Sequence, residues 1–291
     1  VQHAIEKAAV LIEALQWIRE FRDKITVIKL GGSVMEDPRD MDHLLLDVVF
    51  METVGMHPIL VHGGGTAISR AMVEAGLEPR FIQGRRYTDA AALEIVQRVL
   101  GCEINESLAL RIEALGGSAK PLNFRTTNVL YGDRIQLRDE QDRPVDLGYV
   151  GEVTRVDTET IRGLCREGIV PVIASLCQDS DGQKLNVNAD TAATAVARQL
   201  GAEKLVFLSD VSGVRRRRDD PDSLLNTLNV EQAEELIRSG AIEAGMIPKV
   251  QACLETIARG VRKVHIIDGR LRHSLLLEVY TSKGVGTAIV P

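Results

Sequence analysis

Two lysines, two glycine-rich stretches and an arginine pair are spaced along the 291-residue chain in a way that suits phosphate chemistry. Lys29 stands one residue before the end of the apolar run in "ITVIKLGG", which leads into Gly31, Gly32 and Ser33. A lysine in a buried run needs a partner, and either a phosphate or a structural carboxylate would serve. A second apolar run, "PILVHGGG", ends in Gly63, Gly64 and Gly65. Neither loop carries Gly-Lys-Ser/Thr or the G-x-G-x-x-G spacing, so neither matches a nucleotide fingerprint. Glycine amides beside helix amino termini bind anions, and the same glycines would also serve a plain tight turn.

Three further clusters add to these. In "KLNVNADTAATAVA", Asn186, Asn188 and Asp190 precede a helix of small residues. Asp190 fits two roles there: capping the helix, or holding lysines over a phosphate. In "AGMIPK", Gly245 and Lys249 bracket a helix start, which suits either a phosphate ligand or a solvated first-turn lysine. In "QGRRYTDA", Arg85 and Arg86 precede a Thr88-Asp89 helix cap, and an arginine here can fork onto a carboxylate. Two lysines, glycine amides and no acid–base pair suit phosphoryl transfer, where positioning and charge neutralisation dominate. The arginine suggests an amino-acid-like acceptor.

The elements that must position these residues follow from periodicity. Apolar side chains Ile5, Ala8, Leu11, Ile12, Leu15 and Ile18, widened by Val10, Ala14, Trp17 and Phe21, predict an amphipathic helix over residues 1–24 with an apolar arc too broad for one docking face, covered either by two surfaces, one of them another subunit's, or wholly by its own domain. Strands and helices then alternate: a strand at 25–32, helices near 41–54 and 66–76, then two separate helices at 89–100 and 103–115. Residues 126–156 read as projecting hairpins. A buried strand "IVPVIAS", a turn at Asp181-Gly182, a helix at 189–200 and the strand "KLVFLSD" follow, then helices near 230–239 and 248–259, the strand "KVHIIDG", a short helix near Leu275 and a last strand, "TAIV". The pattern predicts an α/β fold, an open αβα sandwich with a mainly parallel central sheet. Ligands collect at the carboxyl ends of such strands, which is where Lys29, His62, Ser175, Ser209 and Asp210 fall.

Composition narrows the partners. A formal net charge of −6 and only 3% aromatics argue against nucleic acid. No apolar run reaches the length of a membrane span. Cys102, Cys165, Cys177 and Cys253 form no C-x-x-C pair and no zinc-ligand spacing, so no metal site is expected and a reducing, cytoplasmic setting is.

The blocks "VIKLGGS", "ILVHGGG", "GRRYTDA", "DLGYVGEV", "NVNADTAA", "SDVSGV", "GMIPKVQAC" and "HIIDGR" occur in the order found in the N-acetyl-L-glutamate kinases, a branch of the amino acid kinase family, and the chain resembles that family over nearly its whole length. The resemblance implies two lobes: 25–200 binding N-acetyl-L-glutamate and dimerising, and 201–291 binding ATP. It implies that Lys29 and Lys249 contact the transferring phosphoryl group from opposite sides and that Asp190 organises both. Gly31, Gly32, Gly63 and Gly64 would supply amides, with Gly63 and Gly64 on the acceptor side. Arg86 would bind the substrate α-carboxylate and Asn186 its α-substituent. Ser209, Asp210 and Gly213 would lie in the nucleotide site, and Mg²⁺ would ride on ATP.

The chain further resembles the arginine-inhibited hexamers of that family, trimers of dimers with an extra amino-terminal helix that interlaces between dimers. The tail "HSLLLEVYTSKGVGTAI" shares that likeness, with Glu278 and Gly284 as candidates for an L-arginine effector and a surface-helix role for Glu278 as the alternative. Two features depart from the family pattern: "KLGGS" in place of "K-Y-G-G-N", and the four arginines Arg215–Arg218, which suit a solvated loop or else a phosphate or acidic-partner contact. A sister kinase for an aminoadipate derivative or other acyl amino acid, and a non-catalytic sensor on the same fold, remain the competing readings.

Overall fold

The computed structural model describes residues 2–139, 141–217, 220, 223–242, 246–280 and 284–291. Gly245 and Arg218 lie outside the described residues. The helices are α1 (Gln2–Phe21), α2 (Pro38–Thr53), α3 (Gly65–Glu74), α4 (Ala90–Gln97), α5 (Asn105–Ala114), α6 (Thr158–Arg166), α7 (Ala189–Leu200), α8 (Val230–Arg238), α9 (Ile247–Ala258) and α10 (Ser274–Tyr280). The central sheet is built from β1 (Ile25–Leu30), β2 (His57–His62), β3 (Ala119–Leu122), β4 (Val170–Ala174), β5 (Lys204–Ser209), β6 (Thr227–Asn229), β7 (Val264–Asp268) and β8 (Thr287–Val290). Its order is β6-β8-β7-β5-β1-β2-β4-β3, parallel throughout except where β7 meets β8. One sheet thus runs through both halves of the chain, joined at the β1–β5 pair.

Both faces of the sheet are covered. Period-2 alternation sends Ile25 and Val27 of β1 into the core formed with α7 and α9, and Ile28 and Leu30 into the core formed with α2, α5 and α10. That two-sided burial is why the strands read as unbroken apolar runs. Local signals start the helices. Asp37 caps α2, with Pro38 at its first turn. Asn188 caps α7, accepting from the amides of Asp190 (2.8 Å) and Thr191 (3.1 Å). Asn229 and Gln232 form a reciprocal capping box on α8.

Two expectations change. Residues 89–115 form one helical path, because a π-turn over Arg98–Ile104 joins α4 to α5 where two separate helices were predicted. The hairpin segment does pair, Leu130–Arg134 with Val150–Val156, yet it closes with Leu176–Gln178 and Lys184–Val187 into a small barrel. Helix α1 docks only near its end: Phe21 is buried and Trp17 and Ile18 pack against the core, whereas Ile5 and Ile12 are 55% and 70% exposed. No helix among the described residues is long and apolar enough to cross a membrane.

Candidate active site

Strand parity decides which side chains meet. Lys29 shares the parity of Ile25 and Val27 and faces the α7 layer, where its Nζ lies 2.8 Å from Asp190 Oδ1. Because Asn188 caps α7, the Asp190 carboxylate in the first turn is left for the lysine. Ser209, at the end of β5, shares the parity of Leu205 and Phe207 and faces α9. There Lys249 Nζ donates to Ser209 Oγ (2.6 Å) and to Asp210 Oδ1 (2.9 Å). The Lys249 ammonium bonded to it holds the Asp210 carboxyl below the usual carboxylate range. The two lysines are therefore held separately. Asp190 takes Lys29, and Lys249, rising from the first turn of α9 beside β5, takes Asp210 instead of the Asp190 expected for both.

A cavity of about 210 Å³ brings together Lys29, Gly63, Gly64, Arg86, Asn186 and Asp190, with Gly32 at its edge. One wall is the start of α3, which has no side-chain cap. The amides of Gly64, Gly65 and Thr66 donate to nothing among the described residues. Orphan donors at a helix start are an anion site in waiting. Arg86, only 8% exposed, is held by Gly65 O (2.9 Å) and Ser69 Oγ (2.7 Å) from Nη2, and lies over the Phe81 ring. Burial lowers the pKa of its guanidinium, and no carboxylate pairs with it among the described residues. A buried cation so placed is completed by an anionic ligand. Asn186 Nδ2 donates to Thr88 Oγ1 (3.1 Å), which in turn donates to Arg86 O (2.9 Å).

A second cavity, of about 310 Å³, is lined by Asp210, Val211, Gly213, Arg215, Ile242, Met246, Asp268 and Arg270. Gly31 lies beside Lys29, in the loop after β1. A Cβ there would stand 2.7 Å from Leu208 O, so only glycine lets the loop after β1 lie against β5. Sequence reasoning missed Arg270, which forks onto Asp268 (3.0 and 2.8 Å) and reaches Asp210 O (2.5 Å). The signal was its place just after a strand end, in "DGR". The arginine run singled out in the sequence is divided: Arg215 stands on the cavity wall, whereas Arg216 and Arg217 are exposed, the latter paired with Asp220.

Glu278 is buried, which rules out the surface-helix alternative. Its Oε1 lies 2.5 Å from His265 Nδ1, and its Oε2 accepts from the amides of Val285 (2.7 Å) and Gly286 (2.9 Å), with Gly284 against the carboxylate. Burial works to raise its pKa, but His265 and the two amides outweigh it and hold the carboxyl low.

Known proteins resemble this chain in sequence and in fold. The amino acid kinase family model matches residues 24–268. Acetylglutamate kinase of Symbiobacterium thermophilum is 46% identical over 99% of each chain. Acetylglutamate kinase of a Synechocystis strain is 43% identical over 99% of this chain and 95% of its own. Among solved structures, N-acetylglutamate synthase of Neisseria gonorrhoeae with coenzyme A and N-acetyl-glutamate superposes with a TM-score of 0.81 at 26% identity. That match covers 98% of this chain and 63% of the synthase, so the chain spans under two thirds of that longer protein. Giardia carbamate kinase shares the fold at 16% identity and a TM-score of 0.62, over 92% of this chain and 99% of its own. The chain belongs to the amino acid kinase family.

Proposed function

We propose that the chain transfers the γ-phosphoryl group of ATP to the side-chain carboxylate of N-acetyl-L-glutamate, giving N-acetyl-L-glutamyl 5-phosphate and ADP. The observation that carries this is full-length similarity to acetylglutamate kinases at up to 46% identity, on a site where Lys29, the α3 amides and a carboxylate-free Arg86 converge. The acceptor oxygen is already ionised near neutral pH, so the reaction needs no general base. It forms the new bond to phosphorus as the bond to the β-phosphate oxygen breaks. Lys29 and the α3 amides offset charge on the acceptor side, and Lys249 does so on the leaving side. Arg86 fixes the α-carboxylate and Asn186 the acetamido group. The nucleotide body occupies the cavity bounded by Gly213 and Arg270, and Gly31 and Gly32 lie along its phosphates. Mg²⁺, brought by the nucleotide, supplies further charge neutralisation; the Asp190 and Asp210 carboxylates are engaged by lysines and suit holding those lysines better than holding a metal.

The same reading assigns residues 25–200 to the acceptor lobe and 201–291 to the nucleotide lobe, and places the protein in the cytoplasm. It extends to feedback inhibition by L-arginine and to a homo-hexamer built through α1. Supporting the first, a related synthase is solved with L-arginine, and buried His265 Nε2 has no hydrogen-bond partner among the described residues. Supporting the second, α1 leaves Ile5 and Ile12 uncovered. The test is a substrate panel of acetylglutamate, glutamate, aspartate and aminoadipate derivatives, with and without arginine. Absence of acetylglutamate-dependent ADP release would overturn the assignment, and preference for an aminoadipate derivative would favour the sister kinase.

A further inference from the structure

One motif residue has no task in the reaction just described. His62 ends β2, fully buried, and its parity with Leu60 turns it to the α5 face, away from Lys29 and the acceptor cavity. It cannot touch substrate there. Its ring is instead the last member of a buried polar chain. The chain starts in the loop after β3, where Asn123 Oδ1 accepts from the amides of Arg125 (2.8 Å) and Thr126 (3.2 Å). That fixes which end of the Asn123 side chain is the donor, and its Nδ2 bonds Asn105 Oδ1 (2.9 Å). Asn105 is thereby oriented too. Of the two hydrogens on its Nδ2, one goes to Val172 O (2.9 Å) and the other to His62 Nε2 (2.9 Å).

A ring nitrogen that receives a hydrogen bond carries no proton. The neutral ring must hold its proton on Nδ1, which lies 3.0 Å from Gly63 O. The consequence reaches the cavity through one peptide plane. In a trans peptide, and the described chain has no cis ones, the carbonyl and the following N–H point in opposite directions. Drawing Gly63 O toward His62 on the α5 face aims the Gly64 N–H toward the α7 face, where the cavity holds Lys29 and Asp190 and where that amide has no partner among the described residues. The π-turn over Arg98–Ile104 is part of the same device. Its extra residue shifts the helix phase by one position, and Asn105, just after it, is buried while Glu103 and Ser107 are exposed.

We propose that His62, fixed as its Nδ1–H tautomer by Asn105 and Asn123, is a positioning residue for phosphoryl transfer that locks the Gly63–Gly64 peptide with the Gly64 amide aimed at the acceptor group. What the amide meets rests on the kinase reading above; the tautomer and the peptide plane do not.

Two measurements separate these layers. Ring ¹⁵N shifts of His62 in the unaltered chain read the tautomer with no substrate present. An Nδ1–H ring is expected, and an Nε2–H or exchanging ring overturns the inference even if the kinase reading stands. The second measurement compares kcat and KM. His62→Gln keeps a polar atom near Nε2 and loses the donor to Gly63, whereas His62→Asn keeps a donor near Nδ1. If the amide meets developing charge, His62→Gln and Asn105→Leu lower kcat about a hundredfold with KM for acetylglutamate within about threefold. His62→Asn recovers at least about tenfold of that loss. A kcat within threefold of the parent in His62→Gln, or an equal loss in His62→Asn, overturns the positioning role. An unaltered chain that releases no ADP with acetylglutamate sinks the kinase reading and leaves the ring measurement to decide the tautomer.

Discussion

Lys29 Nζ stands 2.8 Å from Asp190 Oδ1, tying the end of β1 to the first turn of α7 across the mouth of the acceptor cavity. Asp190 is 41% exposed, so the pair adds little to stability. Its value lies in aim: the carboxylate keeps a flexible four-carbon side chain pointed at the place a phosphoryl group would occupy. We expect Lys29→Ala to lower kcat by about a thousandfold or more, and Asp190→Asn by about ten- to a hundredfold, with unfolding midpoints close to the parent. Steady-state ADP release and thermal melts check both. A near-parental rate for Lys29→Ala would remove the lysine from the phosphate clamp.

Lys249 is held on the other side of the site by Ser209 and Asp210. Since Asp190 does not hold it, the two lysines respond to different partners. Asp210→Asn should weaken the aim of Lys249 and leave the Lys29–Asp190 pair intact. The expected result is a loss of about tenfold in kcat for Asp210→Asn and about a thousandfold for Lys249→Ala. A double substitution with Asp190→Asn should come close to multiplying the separate losses, because the two pairs share no atom. Strong non-additivity in that cycle would mean the carboxylates act as one unit during turnover.

Arg86 is buried, its two Nη2 bonds go to neutral oxygens, and its guanidinium lies over the Phe81 ring. Such a guanidinium binds a carboxylate in a fork that lysine cannot reproduce. Arg86→Lys should raise KM for acetylglutamate by about a hundredfold while kcat at saturation falls far less. Titration of substrate saturation curves decides it, and an unchanged KM would place the α-carboxylate elsewhere.

The parts of this arrangement that were legible in the sequence are those fixed by local pattern. Buried apolar runs marked β1, β2, β4, β5 and β7, and strand-end position alone drew attention to Lys29, Gly63, Gly64, Ser209 and Asp210. What was not legible depends on distant packing. Nothing near Lys249 in the chain announces Asp210, and nothing near His62 announces Asn105. The π-turn was unreadable for a different reason. Its extra residue breaks the 3.6-residue period, and a broken period reads as two helices. Periodicity also cannot tell projecting hairpins from strands that close on one another, so the small barrel was missed. For α2 a signal was present and unused: Asp37 followed by Pro38 marks a helix start.

Helix α1 offers a test of assembly. Its carboxyl end is anchored by Phe21, over whose ring Lys204 Nζ lies at 3.7 Å, while Ile5, Ile12 and Leu15 face outward. Apolar residues uncovered in a row on one helix are expected to meet another surface. Deleting residues 1–21 should yield an active, smaller assembly in light scattering, with inhibition by L-arginine weakened because the α1 end beside Glu278 and Lys204 is lost. A truncated chain of unchanged size would refute the role of α1 in assembly.

Burial of His62 makes a prediction about acid stability that does not depend on any ligand. Its pKa falls from 6.5 to about 4 because the fully buried ring resists taking a charge, and the bond to Gly63 O only partly offsets this. The sign follows from proton counting. Between pH 6.5 and about 4 the unfolded chain binds a proton at this residue and the folded chain does not, so stability falls as pH falls through that window. The contribution is fully present above the unfolded value and exhausted below the folded one. A change of this size corresponds to roughly 3 kcal/mol. His265 is also lowered by burial and Glu278 is held low, so the parent curve contains their losses as well. Comparison with His62→Gln isolates the one residue. Denaturant unfolding of both proteins at fixed concentration, from pH 7.5 to 4, should show the parent's advantage shrinking by roughly 3 kcal/mol toward acid. A difference that stays flat across that window would mean that His62 protonates in the folded chain as readily as in the unfolded one, and Gly63 O would then be accepting from a cationic ring.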